Sequence, residues 1–197
     1  MKLYYAPGAC SLADHIALHE AGLTFEHEKV DLAAKKTESG ADFLSINPKG
    51  YVPALTLDSG ELLTENIAML DWIAQQSQGL APVGPLGRTH LLERLAFIST
   101  EIHKGFKPFF SGALNEEKAK ASEMLTKRFG QACDMMEGDY LFASGFTVAD
   151  SYLFVMLLWA QKMGVAVPDK LAAFRERIKA RPSVTAAMAH EGLLETS

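Results

Sequence analysis

Cysteine is scarce in this chain: Cys10 and Cys133 are the only two in 197 residues. They show neither metal-knuckle nor disulfide spacing, which argues against a stapled scaffold and points to a reducing compartment with Cys10 as a free thiol. No run of 18 uninterrupted apolar residues occurs, so no membrane-spanning helix is expected. The N-terminus lacks a basic stretch followed by an apolar run, and the expected location is the cytoplasm. Basic clusters are also missing beyond Lys35-Lys36, and 19 Lys plus Arg against 24 acidic residues leave a net charge of −5. That balance disfavours nucleic acid and anionic membrane as partners. There is no internal repeat and no low-complexity segment.

What is present falls into two textures. From Met1 to about Gln78, strand and helix patterns alternate: a strand at Leu3 to Tyr5, a helix from Ser11 to Ala21 ended by Gly22, and a strand from Phe25 to Val30. A short helical stretch near Asp42 to Ile46 follows. Pro53 to Leu57, the turn Asp58-Ser59-Gly60, and Glu61 to Leu63 read as a hairpin, and another helix runs to about Gln76. The order is β-α-β-α-β-β-α. Residues 79–87 carry Gly79, Pro82, Gly84, Pro85 and Gly87, and read as a linker. Residues 88–197 read as all-helical, with about five helices. Pro108 bends or ends the helix that begins near Leu91. Thr147-Val148-Ala149-Asp150 has capping-box spacing before the apolar stretch Tyr152 to Trp159, the expected hydrophobic centre of this half.

Cys10 stands where the first strand breaks and the first helix begins. A thiol there meets unpaired N–H groups and the positive end of the helix dipole, which favour thiolate. Free cysteines are more often small buried hydrophobes, yet Pro7-Gly8 opens the turn, Ser11 is polar, and a redox or nucleophilic role is the favoured reading. Val52-Pro53 opens a strand; a cis bond would leave Val52 free to present its N–H and C=O to a peptide-like ligand, although trans is the general rule. Glu65 and Asn66 open a helix, where they serve either the dipole or an amino-acid headgroup. Lys35 alone reads as a solvated loop charge.

Thr100, His103, Lys104 and Lys107 share a helical face at spacings of three and four. They form a solvated polar face, or a cationic group able to stabilise a thiolate or donate protons. Phe106, Phe109, Phe110 and Trp159 are more often core than pocket, although some could line a hydrophobic cleft. His15 and His19 lie four apart without an adjacent glutamate or an evident third ligand, so no metal is expected; His27, His90 and His190 carry no readable signal.

Five segments in order, Lys2 to Ser11, Asn47 to Leu55, Leu63 to Asn66, Thr100 to Phe106 and Phe146 to Asp150, resemble the cytosolic glutathione transferases, specifically the bacterial beta class, over essentially the whole chain. The resemblance implies a thioredoxin-like domain over residues 1–78 that holds glutathione as co-substrate, followed by a helical domain that supplies most of the second-substrate pocket. It implies that Val52, through a cis Pro53 and beside Tyr51, pairs with the cysteinyl backbone of glutathione. Glu65 and Asn66 would hold the γ-glutamyl end, and Lys35 the glycyl carboxylate. Cys10 would lie beside the glutathione sulfur, able to form a mixed disulfide, with His103 and Lys104 nearby.

A homodimer is implied, with Thr100 and Glu101 reaching the neighbouring subunit's glutathione. Tyr51, Asn66 and Ala96 stand where relatives often carry glutamine, serine and asparagine, and Ala96 removes a group that would face the thiol. The activity implied is conjugation of glutathione to small hydrophobic electrophiles, with thiol-disulfide exchange through Cys10. A glutathione-dependent isomerase, dehalogenase or peroxidase, or a non-catalytic regulatory relative, are the alternatives.

Overall fold

A computed structural model of the chain describes residues 1–194, so the expected end of the helical half at residue 197 lies outside the described residues. The first half builds β1 (Lys2–Tyr5), α1 (Ser11–Glu20), β2 (Glu26–Asp31), β3 (Lys36–Thr37), α2 (Phe43–Ile46), β4 (Ala54–Thr56), β5 (Leu62–Thr64) and α3 (Asn66–Gln76). The strands form one mixed sheet in the order β3-β2-β1-β4-β5, with β1 and β2 parallel and the other pairs antiparallel. The two-residue β3 was not expected. Its sequence, Lys36-Thr37, has no alternation to read, and its pairing with Val30 and Asp31 is supplied by the edge of β2.

Period-two alternation sends Leu3, Tyr5 and Leu55 to one face of the sheet and Tyr4 and Ala54 to the other. The first face carries α1 and α3 and merges with the core of the helical half; the second is covered by Phe43 of α2, with Val30 and Val52. Gly22, at φ +66°, follows α1 and allows the left-handed exit that ends it.

The second half is helical: α4 (Gly87–Phe97), a π turn (Ile98–Ile102), a 3-10 turn (His103–Phe106), α5 (Lys107–Phe110), α6 (Asn115–Asp134), α7 (Val148–Met163), α8 (Asp169–Lys179) and α9 (Pro182–His190). Pro108 sits at the start of α5, where its missing N–H is harmless. The bend occurs upstream of it, through the π and 3-10 turns.

Along α7, Val148 through Leu157 are all buried. Its first turn is closed by a capping box in which the Asp150 carboxylate accepts from the Thr147 backbone and hydroxyl, both at 2.8 Å, and from the backbone of Leu141 at 2.9 Å. The helix α1 packs against α3, α7 and α9, so one element is shared by both halves. Among the described residues, no helix is long and apolar enough to cross a membrane.

Candidate functional site

The sheet register sets up the site. β1 and β4 run antiparallel with Tyr4 opposite Ala54, so the residue before Pro53 and the turn after Tyr5 meet at the same end of the sheet. The Val52-Pro53 peptide is cis. Across this junction the Cys10 thiol donates to the Val52 carbonyl at 3.7 Å. A cavity of about 570 Å³ opens here, within the ordinary range for small-molecule sites. It brings together Cys10, Tyr51, Val52, Pro53, Glu65 and Asn66 from the first half with Ser99, His103, Lys104, Lys107, Phe110, Tyr152 and Trp159 from the second.

The helix-terminal N–H groups of Cys10 and Ser11 do lower the thiol's pKa, as the sequence suggested, but they are outweighed. Burial, followed by the neighbouring Asp14 carboxyl, pushes the Cys10 thiol up to about 12. The expected thiolate is therefore a thiol at neutral pH. Asp14 is itself fully buried, and burial lifts its carboxyl well above the carboxylate range. The Asn66 amide nitrogen, oriented by its neighbours, donates to Asp14 at 2.7 Å and to the Cys10 carbonyl at 3.2 Å. Asn66 thus braces the start of α1 while itself lining the cavity.

Glu65 holds a positive φ of +73°, rare for a residue with a side chain and characteristic of positions over-determined by their surroundings. Its carboxylate accepts from the Tyr51 hydroxyl at 2.7 Å and from Lys49, whose ammonium also reaches Thr64. Lys49 and then Tyr51 hold the Glu65 carboxyl below its usual range. Lys49 was not singled out in the sequence, where it reads as a loop charge between Pro48 and Gly50.

His103 is largely enclosed, and burial followed by Lys104 brings its imidazole down to about 4. Its Nδ1 lies 2.6 Å from the Tyr152 hydroxyl, and burial followed by Cys10 raises that phenol well above its ordinary range and holds it protonated. A protonated phenol beside a neutral ring donates to the bare nitrogen, which leaves the ring proton on Nε2; this tautomer is assigned from the network. Ser99 lines the cavity beside this pair. Tyr152 and Ser99 escaped sequence reading because one sits in an unbroken apolar helix and the other looks like a surface serine.

Two expected pocket residues are corrected. Phe106 is fully buried, set among Trp159 at 5.5 Å, Phe109 at 6.0 Å and Phe129 at 6.3 Å between ring centroids. Phe109 packs against the same core and does not line the cavity. The 3-10 turn winds Phe106 inward, and only Phe110 and Trp159 of the four aromatics face the cavity.

The π turn likewise breaks the expected face. His103, Lys104 and Lys107 line the cavity, whereas Thr100 is exposed and donates to the Ala96 carbonyl at 3.0 Å, and Glu101 pairs with Arg128. Ala96 is exposed and does not line the cavity. Lys35 also lies outside the cavity lining; its ammonium donates to the Gly50 carbonyl at 2.7 Å, one residue before Tyr51.

Residues 9–76 match the family model of the glutathione S-transferase N-terminal domain, and residues 97–182 match that of the C-terminal domain. The chain is 42% identical to glutathione S-transferase GstA of Escherichia coli O157:H7, over 98% of this chain and all of that one. The chain belongs to the glutathione S-transferase family. Its structure is also similar to a bacterial beta class glutathione S-transferase of Sphingomonas chungbukensis, at a TM-score of 0.90 and 48% identity over 98% of this chain and all of that one. A sphingomonad glutathione S-transferase solved in complex with glutathione superposes at a TM-score of 0.92, with 49% identity and the same coverage. The mixed sheet followed by a helical domain is thus the family's architecture, and the cavity lies where its two domains meet.

Proposed function

We propose that the cavity binds reduced glutathione with its sulfur beside Cys10, and that this sulfur, rather than Cys10, attacks a small hydrophobic electrophile. The observation that carries the reading is the convergence on one cavity of three unlike surfaces. These are the cavity-lining backbone at Val52-Pro53, the carboxylate of Glu65, and the polar set His103, Lys104 and Lys107 beside Phe110 and Trp159. Glutathione needs each of them: a peptide edge, an acceptor for an ammonium, and a positive environment for a thiolate.

In this reading the Val52 backbone pairs with the cysteinyl residue and Glu65 accepts from the γ-glutamyl ammonium, while Tyr51 and Lys49 hold the carboxylate in place. Asn66 acts indirectly, by fixing the Cys10 turn, and Lys35, held on the Gly50 carbonyl, is the group for the glycyl carboxylate. The neutral His103 offers Nε2–H to the developing thiolate, and Lys104 and Lys107 favour its negative charge. The thiol proton leaves to solvent, the sulfur bonds to the electrophilic carbon, and the carbon's leaving group departs with its electron pair. Cys10 adds exchange. Its thiolate attacks the S–S bond of a glutathione disulfide, forming a mixed disulfide and expelling one glutathione thiolate.

The assembly we infer is a homodimer in which Thr100 and Glu101, both outside the subunit's own cavity, approach the neighbouring glutathione. The division into residues 1–78, a linker at 79–87 and a helical domain from 88 onward, a cytoplasmic setting that keeps Cys10 reduced, and a detoxifying role complete the proposal. Retention on immobilised glutathione, with elution by free glutathione, is the expected behaviour. Folded protein emerging in the flow-through would contradict the binding site.

A further inference from the structure

On the other side of α1 from the cavity's opening, four histidines that are distant in sequence pack together. His15 and His19 come from α1, His27 from β2 and His190 from the last turn of α9. The rings of His27 and His190 stack at 4.5 Å, those of His15 and His19 at 5.3 Å, and the His15 ring lies 5.3 Å from His27 and 5.5 Å from His190. Four polar rings are an unusual filling for an aromatic cluster when phenylalanine would bury more area without unsatisfied nitrogens. One nitrogen is indeed left over: His19 Nε2 is buried without a hydrogen-bond partner among the described residues.

The nitrogens of the other three converge. One ring nitrogen from each of His15, His27 and His190 lies within 4.8 Å of the other two. His190 Nδ1 and His15 Nε2 are 3.3 Å apart, which is about the nitrogen–nitrogen edge of a tetrahedron with bonds of ~2.0–2.1 Å to zinc. The His27 and His190 rings are exposed, while His15 is fully buried.

An outer support is already in place. His15 Nδ1 lies 3.0 Å from Glu191 Oε1, and the other carboxylate oxygen of Glu191 accepts from the Gly8 N–H at 2.8 Å. An acidic side chain on the far nitrogen of a histidine fixes the orientation of its ring, the usual arrangement behind a metal-ligating imidazole.

We propose that His15, His27 and His190, oriented by Glu191, form a binding site for one borderline divalent transition-metal ion such as Zn2+, separate from the glutathione cavity. The three imidazoles leave a fourth position for water or for a movement of His19. Three neutral nitrogen donors suit Zn2+, Co2+, Ni2+ or Cu2+ and do not suit the oxygen-seeking Mg2+ or Ca2+. An ion there ties the end of α9 to β2 and α1, across the two domains.

The test uses the tag-free chain stripped with a chelator and titrated calorimetrically with Zn2+ alone, with Co2+ visible absorption as a readout of tetrahedral nitrogen ligation. The wild type should bind one ion per chain. His27→Ala and His190→Ala, both at exposed positions that folding tolerates, should each weaken binding by about 100-fold or more. Glu191→Gln should weaken it by about 10- to 100-fold. His90→Ala, on the exposed face of α4, and Cys10→Ala should leave it unchanged. Absence of binding by the wild type overturns the site, as does binding by His27→Ala and His190→Ala that is as tight as the wild type's. A loss confined to one of those two contradicts the three-histidine assignment.

Discussion

Cys10 shows how a correct local rule can lose to its surroundings. The helix-terminal N–H groups favour thiolate, but burial and Asp14 win and bring the thiol up to about 12. Alkylation of Cys10 by iodoacetamide should therefore keep rising about tenfold per pH unit beyond pH 9, because the thiolate fraction controls the rate. A plateau near pH 7 would show an activated thiol instead. The sign for stability follows: a folded pKa above the ordinary value of 9.0 favours the fold below pH 9, and that contribution is lost as pH rises toward about 12. Wild type should accordingly lose stability relative to Cys10→Ala over that window. After treatment with oxidised glutathione, intact mass should show one adduct in wild type and none in Cys10→Ala; an adduct persisting on Cys133 contradicts the assignment. At His103, Tyr152→Phe removes the donor that sets the ring's tautomer, and we expect a fall of about 5- to 10-fold in kcat/KM with glutathione affinity little changed. Equal losses in turnover and affinity would make Tyr152 a packing residue only.

At the level of the element, the sequence conveyed most where periodicity and local chemistry agree. Thr147 and Asp150 announced the start of α7, and Pro53 the start of β4, because a cap and a proline act within four residues of themselves. The run from Ile98 to Phe110 was legible as helix but not as a shape. A π turn followed by a 3-10 turn changes the angular phase, so Ser99 replaces Thr100 at the cavity and Phe106 turns into the core. No spacing rule carries that information, since the phase is set by packing against α6. Gly105 marks the tightest point of that packing: a Cβ there would lie 2.7 Å from Met124 Cε and 2.8 Å from Leu125 Cδ2. Gly105→Ala should destabilise the protein by about 1–3 kcal/mol in urea unfolding and reduce turnover by displacing His103 and Lys104. Unchanged stability would show that α6 yields freely. Asp150→Ala should cost about 2–4 kcal/mol, because it strands buried N–H donors of Thr147 and Leu141; a loss below 1 kcal/mol would mean that water reaches them.

Over the whole molecule, the two domains share one core and jointly hold the Cys10 turn. Trp159 of α7 donates to the Gly8 carbonyl at 2.8 Å, Glu191 accepts from the Gly8 N–H, and Arg181 meets Glu20 of α1 through two nitrogens, at 2.6 and 2.9 Å. These long-range links were invisible in the sequence because their partners lie more than 150 positions apart, as were the histidines assembled from α1, β2 and α9. The five motif segments, by contrast, revealed the family without any of those contacts, since each is a local backbone device. The central claim is that glutathione's own sulfur is the nucleophile and Cys10 its exchange partner. Steady-state conjugation of glutathione to an aryl halide by Cys10→Ala tests it most directly. Cys10→Ala should keep a kcat/KM within about tenfold of wild type and its retention on immobilised glutathione. A fall of about 100-fold or more in a variant that still binds glutathione would contradict it and make Cys10 the nucleophile.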